Sequence, residues 1–296
     1  MPHEIPMVFT SDGVPLVGTL VRKAGVLGAR QRGVVVTGSW LNVKEQMALG
    51  YARALAERGF TAFTFDFSGW GASGGALRHW EMPTQKVRDL AAAVDFVSSL
   101  SFVGPRIGHL GVCASAQYAL RAAAGPARIA SLVSVAGWFH DTASVAPFYG
   151  GEDGVARRLE RAADALAEYH RTGKLRMVPA YAEGDERAGM SFKMDYYGNP
   201  ARGAVKPWSN QMAETTWLSW LGFNGLAAAP SVTVPTLMVH SDGCALPDNA
   251  KAVHSRLAGP KQLAWIDKGT QTDFYDVPEF MKIAADRAAA WFEETL

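Results

Sequence analysis

The chain has 296 residues, of which 48% are hydrophobic and 19% are charged, and its formal net charge is +1. This length and composition predict a globular protein with one large α/β domain, alone or with an insertion, and the near-neutral charge argues against a nucleic acid or a membrane surface as partner. The start of the sequence lacks a basic segment followed by an apolar one, and no run of about 18 apolar residues occurs, so we expect a cytoplasmic protein without signal peptide or membrane span.

The first half of the chain alternates short apolar runs with helical patterns. The runs at 5–10 and 15–22 flank Ser-Asp-Gly, which predicts a β-hairpin. Residues 33–37 form a continuous valine-rich run, which is typical of a strand covered on both faces. Further strands are predicted at 60–65, 106–110 and 129–136, and helices at 44–58 and 83–100. This alternation predicts an α/β fold with a mostly parallel, doubly wound sheet.

A cysteine lies at the junction between a predicted strand and a predicted helix. Cys113 follows the apolar run 106–110 and precedes a helical pattern at 117–124, and the small residues Gly111 and Ser115 stand two positions before and after it. A nucleophile on a sharp strand-to-helix turn needs small neighbours at these offsets, because larger side chains would collide with the strand or the helix. The spacing favours Cys113 as a nucleophile, since a thiol needs less activation than a hydroxyl. The alternative is a buried cysteine that only packs.

The alternation of strands and helices stops between residues 141 and 230. This segment is too long for an ordinary loop, so we expect an inserted helical lid, with 157–171 as one of its helices, on a core formed by 1–140 and 231–296. After the segment the alternation resumes, with strands at 236–240 and 262–266 and helices at 248–257 and 278–294. The aromatic residues of the segment either form a small core of the lid or face a substrate, and they are Phe148, Tyr149, Tyr181, Phe192, Tyr196, Tyr197, Trp208, Trp217, Trp220 and Phe223.

The turns that follow the predicted strands carry motifs of a known superfamily. Residues 34–40 read Val-Val-Val-Thr-Gly-Ser-Trp, residues 65–75 read Phe-Asp-Phe-Ser-Gly-Trp-Gly-Ala-Ser-Gly-Gly, and the turn at Cys113 follows the next strand. Residues 137–141 and the pair 241–242 follow two later strands. With these motifs the whole chain resembles the α/β-hydrolases, closest to bacterial dienelactone-hydrolase-like and peptidase-like members. The resemblance implies an α/β-hydrolase fold and a catalytic triad in the chain order nucleophile, acid, histidine.

The resemblance places Cys113 at the nucleophile position and Asp242 at the acid position, but no histidine stands at the third. In similar proteins a histidine precedes Asp-Leu-Tyr-Asp in the loop after the last core strand. Here residues 273–276 read Asp-Phe-Tyr-Asp, and Gln271 occupies the histidine position. No histidine follows His254, which we expect on the surface. A glutamine does not exchange a proton at neutral pH, although it orients a thiol, a water or a carbonyl by hydrogen bonding.

Three explanations of this substitution stay open at the level of sequence. In the first, His140 is the base, oriented by Asp141 or Asp242, because it follows a strand at the sheet edge where ligands of open α/β sheets bind. His240 is a weaker candidate, since it ends an apolar strand. In the second, Cys113 acts without a base, and the N-terminus of the following helix stabilises its thiolate. In the third, the fold catalyses a non-hydrolytic step or only binds a ligand.

The resemblance also indicates which groups surround the substrate. The Ala114 amide follows the nucleophile, and the Trp40 amide lies in the turn where a second donor to a substrate oxyanion is expected, with Ser39 beside it. The residues that we expect to bind substrate are Ser39, Trp138, Tyr196, Trp208 and Trp217. The aromatic segment favours an apolar or aromatic acyl or lactone substrate. Because no dense His, Cys and Asp cluster has metal-ligand spacing, we expect no metal and no cofactor.

One interpretation unites most of these features. It is a cofactor-independent enzyme that acts on an ester, thioester or lactone through Cys113 with an atypical triad. The alternatives are a catalyst of dehydration, isomerisation or cyclisation on the same fold, and a ligand-binding protein without activity. Two cysteines, Cys113 and Cys244, make no disulfide framework. If the chain assembles, we expect a homodimer, which is the commonest assembly among soluble oligomers.

Overall fold

Strands and helices alternate through most of the computed structural model, which describes residues 2–23, 25 and 30–296. The elements up to the sixth strand are β1 (His3–Ser11), β2 (Val14–Arg22), β3 (Gln31–Thr37), α1 (Met47–Glu57), β4 (Thr61–Phe65), α2 (Pro83–Ser98), β5 (Val103–Val112), α3 (Ala114–Ala123) and β6 (Ile129–Val135). The next are α4 (Thr142–Val145), α5 (Gly151–Thr172), β7 (Met177–Pro179), α6 (Asp195–Gly198), β8 (Gln211–Ala213) and α7 (Thr216–Trp220). The last are β9 (Thr236–Gly243), α8 (Pro247–Arg256), β10 (Lys261–Thr270), α9 (Asp273–Asp276) and α10 (Pro278–Thr295). In these described ranges no helix has the length and hydropathy needed to cross a bilayer.

The N-terminal hairpin forms as predicted. Strand β1 pairs antiparallel with β2 along its whole length. The turn between them holds Asp12 at φ 47° and Gly13 at φ 78°. Positive φ at both central residues is the requirement of a type I′ hairpin turn, which follows the twist of its strands, and this explains the Asp-Gly pair.

One eight-stranded sheet organises the chain, in the order β1-β2-β4-β3-β5-β6-β9-β10. From β4 to β10 in this order the neighbours pair in parallel, whereas β2 is antiparallel to both β1 and β4. Helix α1 packs against α10, and α2 packs against α3. Every residue of β4 is buried, as expected of a strand between two helical layers. The predicted mostly parallel, doubly wound sheet is confirmed.

The segment between β6 and β9, where we expected a helical lid, is partly helical. It contains α5, with 22 residues, but also the antiparallel pair β7 and β8 and long irregular stretches. Helix α5 is longer than predicted because its ends are set by glycines in the left-handed conformation, Gly150 at φ 82° and Gly173 at φ 70°. The division of core from lid at residues 141 and 230 stays a prediction.

The last two strands of the sheet extend further than predicted towards one edge. Strand β9 continues to Gly243, and β10 continues to Thr270, which pairs with Gly243 after an irregularity beyond Ile266. Since β5 and β6 end at the same edge, at Val112 and Val135, the extension of β10 carries residue 271 to the point where the candidate site lies.

Candidate active site

Cys113 lies on a strained turn between β5 and α3, as the small flanking residues predicted. Its φ is 56°, a value that residues other than glycine rarely adopt. Its backbone N–H donates to the carbonyl of Val135 at 3.1 Å, and its carbonyl accepts from the N–H of Trp138 at 2.9 Å. At Gly111 a side chain would begin 2.9 Å from the backbone of Ser115 and Ala116, so the glycine is needed for the turn to close.

The thiol of Cys113 is buried among hydrogen-bond donors. Ser39 Oγ donates to Sγ at 3.2 Å, and only 4% of the cysteine is exposed. Burial raises the pKa of the thiol, while contacts from Ser39, Tyr275, the Ala114 amide and Gln271 oppose this effect without cancelling it. The position at the N-terminus of α3 favours the thiolate as well. At neutral pH the resting group is therefore the thiol, with donors already in place for its anion.

Gln271 lies beside the thiol, but its amide holds the surrounding loops together. Its Oε1 accepts from the N–H of Ala245 at 2.9 Å, and its Nε2 donates to the carbonyl of Ala136 at 2.8 Å and to Tyr275 Oη at 3.1 Å. These contacts join the loops after β6, β9 and β10. Gln271, at the histidine position, thus holds the loops around the thiol in place and supplies no base.

Asp242 does not approach Gln271 in the structure. Its side chain is 76% exposed, and its Oδ1 lies 3.3 Å from Nζ of Lys251. Hydrogen bonds from Trp265 and Lys251 lower the pKa of this surface carboxyl. Successive side chains of a strand point to opposite faces, and here Ser241 points inward, where its hydroxyl donates to the carbonyl of Gly269 at 2.6 Å. The acid position inferred from the resemblance is therefore not assembled with the thiol and Gln271.

The two histidines considered as bases are buried outside the lining of the cavity that holds the thiol, which corrects the expectation for His140. Trp138 Nε1 donates to His140 Nδ1 at 2.9 Å, so His140 Nε2 carries the proton and donates it to the carbonyl of Trp220 at 2.8 Å. Both ring nitrogens are occupied, and burial lowers the pKa of His140 to about 4. Burial also lowers the pKa of His240 to about 4, and its ring packs against Trp265. Neither histidine lines the cavity above Cys113.

A mainly apolar cavity of about 550 Å³ opens above the thiol. Ser39, Trp40 and Trp138 line it, so two of the expected substrate-binding residues, Ser39 and Trp138, are placed to meet a ligand. The other lining residues are Cys113, Phe148, Met190, Phe192, Lys193, Met194, Asp195, Tyr197, Gly243, Cys244, Ala245, Leu246, Pro247, Thr270, Gln271, Thr272 and Tyr275. This volume is in the range of pockets that enclose small organic molecules.

The other three expected substrate-binding residues form a layer behind the cavity wall. Tyr196 packs edge-on against Tyr275 at 5.1 Å between ring centroids. Trp208 donates its indole N–H to the carbonyl of Leu41 at 2.7 Å, and Trp217 packs edge-on against Trp40 at 6.1 Å. None of the three lines the cavity, so the expectation that they bind substrate is wrong in this structure. Aromatic composition alone does not distinguish the lining of a pocket from the layer that supports it.

Two tyrosines at the thiol were not among the expected site residues. The hydroxyl of Tyr275 accepts from Gln271, which leaves its own proton directed at Cys113. The hydroxyl of Tyr197 is buried next to Ser39 and Tyr275, and within the described part of the chain it forms no hydrogen bond of good geometry. Burial raises the pKa of both phenols well above the usual value. The spacing of Tyr275 four residues after Gln271, at the start of a helical turn, is the signal from which its position could have been inferred.

Two backbone amides, in the turn after β3 and at the start of α3, donate to no backbone carbonyl of the described structure, and that of Ala114 contacts the Cys113 sulfur. Ala114 is the first residue of α3, so its N–H has no acceptor within the helix. The Trp40 N–H makes no hydrogen bond to any residue that the structure describes. The next residue, Leu41, has a φ of 53°, a strained conformation that costs about 1–3 kcal/mol. The Trp40 indole stacks on Trp220 at 4.2 Å and closes one side of the cavity.

A metal centre is not formed by the described residues, since they contain no group of three or more His, Cys, Asp or Glu side chains placed to hold an ion.

Three proteins of known sequence or structure are similar to this chain. The crystal structure of the hypothetical protein PA2218 from Pseudomonas aeruginosa superposes with a TM-score of 0.84 and 26% identity, covering 100% of this chain and 94% of that chain. In sequence comparison, the uncharacterized protein PA2218 from this organism is 31% identical over an alignment of 297 positions, which covers 96% of this chain and 78% of that protein. The α/β hydrolase GrgF from Penicillium sp. sh18 has a TM-score of 0.82 at 22% identity and covers 99% of both chains, which shows a shared fold. The polyketide transferase claH from Penicillium crustosum is 35% identical over 137 residues, 46% of this chain and 44% of that protein.

The family described as serine aminopeptidase, S33 matches residues 30–188, more than half of the chain. The match includes the turn at Trp40 and the turn at Cys113, and it ends before Gln271. The chain therefore belongs to the serine aminopeptidase S33 family and has the α/β-hydrolase fold.

Proposed function

We propose that the protein is a cofactor-independent enzyme in which Cys113 accepts an acyl group from a thioester, ester or lactone. One observation carries the proposal: the Cys113 thiol faces an apolar cavity at the N-terminus of α3, with a hydroxyl donor 3.2 Å from the sulfur, the Ala114 amide in contact with it, and Trp40 in the cavity wall. A carbonyl carbon attacked by the thiol would place its oxygen near the amides of Ala114 and Trp40. Preorganised donors of this kind stabilise the developing negative charge.

A thioester suits this site better than an amide. In the exchange, a bond forms between Cys113 Sγ and the acyl carbon, the bond from that carbon to the leaving sulfur breaks, and the proton of Cys113 ends on the leaving thiolate. The leaving thiolate is stable enough to depart before it is protonated. An amine leaving group must be protonated as it departs, which a histidine does in a triad. Gln271 has no proton to exchange, so peptide cleavage is not the reaction that this geometry favours.

The second half-reaction decides between hydrolysis and acyl transfer. A water molecule that attacks the acyl-enzyme has to lose a proton, and the described residues of the cavity include no histidine to receive it. A stronger nucleophile than water, such as an amine or a thiol, depends less on a base. We therefore propose acyl transfer to such an acceptor as the faster outcome, with hydrolysis as the slower one. The similarity to a protein described as a polyketide transferase agrees with this proposal.

The lining of the cavity indicates the substrate class. Aromatic rings from Trp40, Trp138, Phe148 and Phe192 form its walls, and thioethers from the 190–194 stretch complete them. Methionine side chains adapt to irregular apolar ligands. We propose an apolar or aromatic acyl group as the part of the substrate that the cavity encloses.

A second candidate function rests on the tyrosines. The unpaired hydroxyl of Tyr197 and the proton of Tyr275 are placed to protonate a substrate oxygen, which a dehydration, isomerisation or cyclisation requires. In this case Cys113 would bind or orient the substrate without becoming acylated. Intact-mass spectrometry of the protein distinguishes the two candidates, because only the first produces an acyl-enzyme.

Intact-mass spectrometry tests the proposal directly. The wild-type protein, Cys113→Ala and Cys244→Ser are incubated with p-nitrophenyl esters and acyl thioesters. Cys244 is the matched control, because it is a second buried thiol that lines the same cavity. We expect the acyl mass on the wild type and on Cys244→Ser, and none on Cys113→Ala. An adduct that persists in Cys113→Ala, or no adduct on any of the three proteins, would contradict the proposal.

A further inference from the structure

A fully buried carboxylate connects the turn that holds Trp40 with the helix that begins at Ala114. Glu81 is 0% exposed, and its side chain has three partners. Its Oε2 accepts from the N–H of Leu41 at 3.2 Å, its Oε1 accepts from the hydroxyl of Tyr118 at 2.6 Å, and Nζ of Lys86 lies 2.7 Å from Oε1. A buried charge is tolerated only when it is paired and hydrogen-bonded in this way. A carboxylate in such a position needs an explanation beyond packing.

The partners of Glu81 belong to the two elements that hold the amide donors. Leu41 directly follows Trp40, and its left-handed backbone sets the direction of the preceding peptide group. Tyr118 lies on α3, one helical turn after Ala114. The Glu81 carboxylate therefore connects the turn after β3 with the helix that follows the nucleophile.

The backbone of Glu81 is held from the opposite side. The Glu81 N–H donates to Thr216 Oγ1 at 3.0 Å, and the Glu81 carbonyl accepts from Ser219 Oγ at 2.5 Å. Both hydroxyls come from α7, whose Trp220 stacks on the Trp40 indole. The side chain of Glu81 is thus held by Leu41 and Tyr118, while its backbone is held by α7. Its position is therefore set by several elements and not by one loop.

The ion-pair partner is enclosed to the same degree. Lys86 is 2% exposed, and its ammonium lies 4.7 Å, 5.2 Å and 5.6 Å from the centres of three rings, those of Phe67, Trp70 and Tyr118. These rings and Glu81 balance the charge of the lysine. The lysine in turn places a positive charge beside the carboxyl group that accepts from Leu41 and Tyr118.

We propose that Glu81 is a positioning residue that holds the Trp40 and Ala114 amides at the separation required to bind the oxyanion. This inference rests on the proposed acylation of Cys113. Glu81 does not touch the substrate, and it acts through Leu41 and Tyr118. Its loss should impair a reaction that develops an oxyanion and spare a reaction of the same thiol that develops none.

Two reactions of Cys113 separate these effects. Acylation by p-nitrophenyl acetate and by the N-acetylcysteamine thioester of benzoic acid requires the amides, whereas alkylation by iodoacetamide is a displacement at carbon that forms no oxyanion. We compare both rates in the wild type, Glu81→Gln and Tyr118→Phe by intact mass. The matched control is Glu214→Gln, because Glu214 is also 0% exposed and ion-paired, to Arg176 and Arg187, but does not contact either turn.

The expected result is a fall in the acylation rate of about tenfold to a hundredfold in Glu81→Gln, smaller than the loss of a whole donor, with unchanged alkylation. Tyr118→Phe should show the same selectivity to a lesser degree, and it decides the question if Glu81→Gln does not fold. Glu214→Gln should keep both rates. Acylation at the wild-type rate in the folded variants overturns the inference, and so does an equal loss of acylation and alkylation. A wild-type protein that is alkylated but never acylated refutes the proposed function, and this inference with it.

Discussion

The Ser39 hydroxyl should determine how reactive the Cys113 thiol is at neutral pH. Burial raises the pKa of the thiol, and Ser39 is the strongest of the contacts that oppose this effect. A hydrogen bond to a charged group contributes about 1.5–3 kcal/mol, and the low end applies here because sulfur is a weak acceptor. Since about 1.4 kcal/mol corresponds to a factor of ten, we expect Ser39→Ala to slow the alkylation of Cys113 at neutral pH about tenfold.

The assay is alkylation by iodoacetamide as a function of pH, followed by intact mass in a Cys244→Ser background. Only the thiolate reacts, so the rate rises with pH in proportion to the ionised fraction. Ser39→Ala should move this curve to higher pH. Ser115→Ala is the matched control, because Ser115 is also fully buried, stands two residues from Cys113, and has a hydroxyl without a partner in the described structure.

Two results would refute the reasoning. If the curve of Ser39→Ala coincides with that of the parent protein, the hydroxyl does not stabilise the thiolate. If Ser115→Ala moves the curve as far as Ser39→Ala does, the effect reflects a general loosening of the turn and not the 3.2 Å contact.

Three further predictions concern the residues around the thiol. Gln271→Ala removes three hydrogen bonds and should lower the free energy of unfolding by about 2–3 kcal/mol, as measured by urea titration. An unchanged free energy of unfolding would mean that the amide does not hold the loops together. Burial lowers the pKa of His140 to about 4 from 6.5, so the folded state binds fewer protons, and the free energy of unfolding should fall by about 3 kcal/mol between pH 6.5 and about pH 4. His140→Gln should lose this part of the pH dependence, and an equally steep dependence in the variant would contradict the assignment. Phe192→Ala should raise the KM for aromatic acyl substrates about tenfold, because Phe192 lines the cavity and its loss exposes the ligand to water. Trp208→Phe should leave the KM unchanged and reduce stability, because Trp208 lies behind the cavity wall and donates to Leu41. Equal changes of KM in both variants would show that Phe192 is not part of the wall that contacts the ligand.

Features that depend on local sequence were predictable. The hairpin follows from an Asp-Gly pair between two apolar runs, and the strained turn follows from small residues two positions either side of Cys113. Both rest on constraints that span only a few residues. The position of Ser39 at the thiol was also within reach, because a turn after β3 and a turn after β5 meet at one sheet edge when the strands are adjacent and parallel.

Features that depend on the direction of a side chain were not predictable from the sequence. Asp242 lies near the end of β9 and His140 follows β6, both at the correct edge, but Asp242 points to solvent and His140 points into a buried contact with Trp138 and Trp220. A shift of one residue in the register of a strand turns each of its side chains to the opposite face of the sheet, so the direction of a single side chain cannot be read from the sequence. The same holds for the aromatic residues of the 141–230 segment, because Tyr196 and Tyr197 are adjacent in sequence and only Tyr197 lines the cavity.

The cysteine at position 113 and the glutamine at position 271 are chemically consistent with each other. A serine in place of Cys113 would need a base at the end of β10, and the amide of Gln271 is engaged on both sides. A thiol retains a small anionic fraction even when burial raises its pKa, so Cys113 is less dependent on a base. Cys113→Ser should therefore lose acylation entirely, as measured by intact mass. The double variant Cys113→Ser, Gln271→His should not recover it, because Asp242 is 76% exposed, paired with Lys251, and too poorly placed to orient a new imidazole. Recovery of acylation in the double variant would show that the loop after β9 does bring Asp242 to the site.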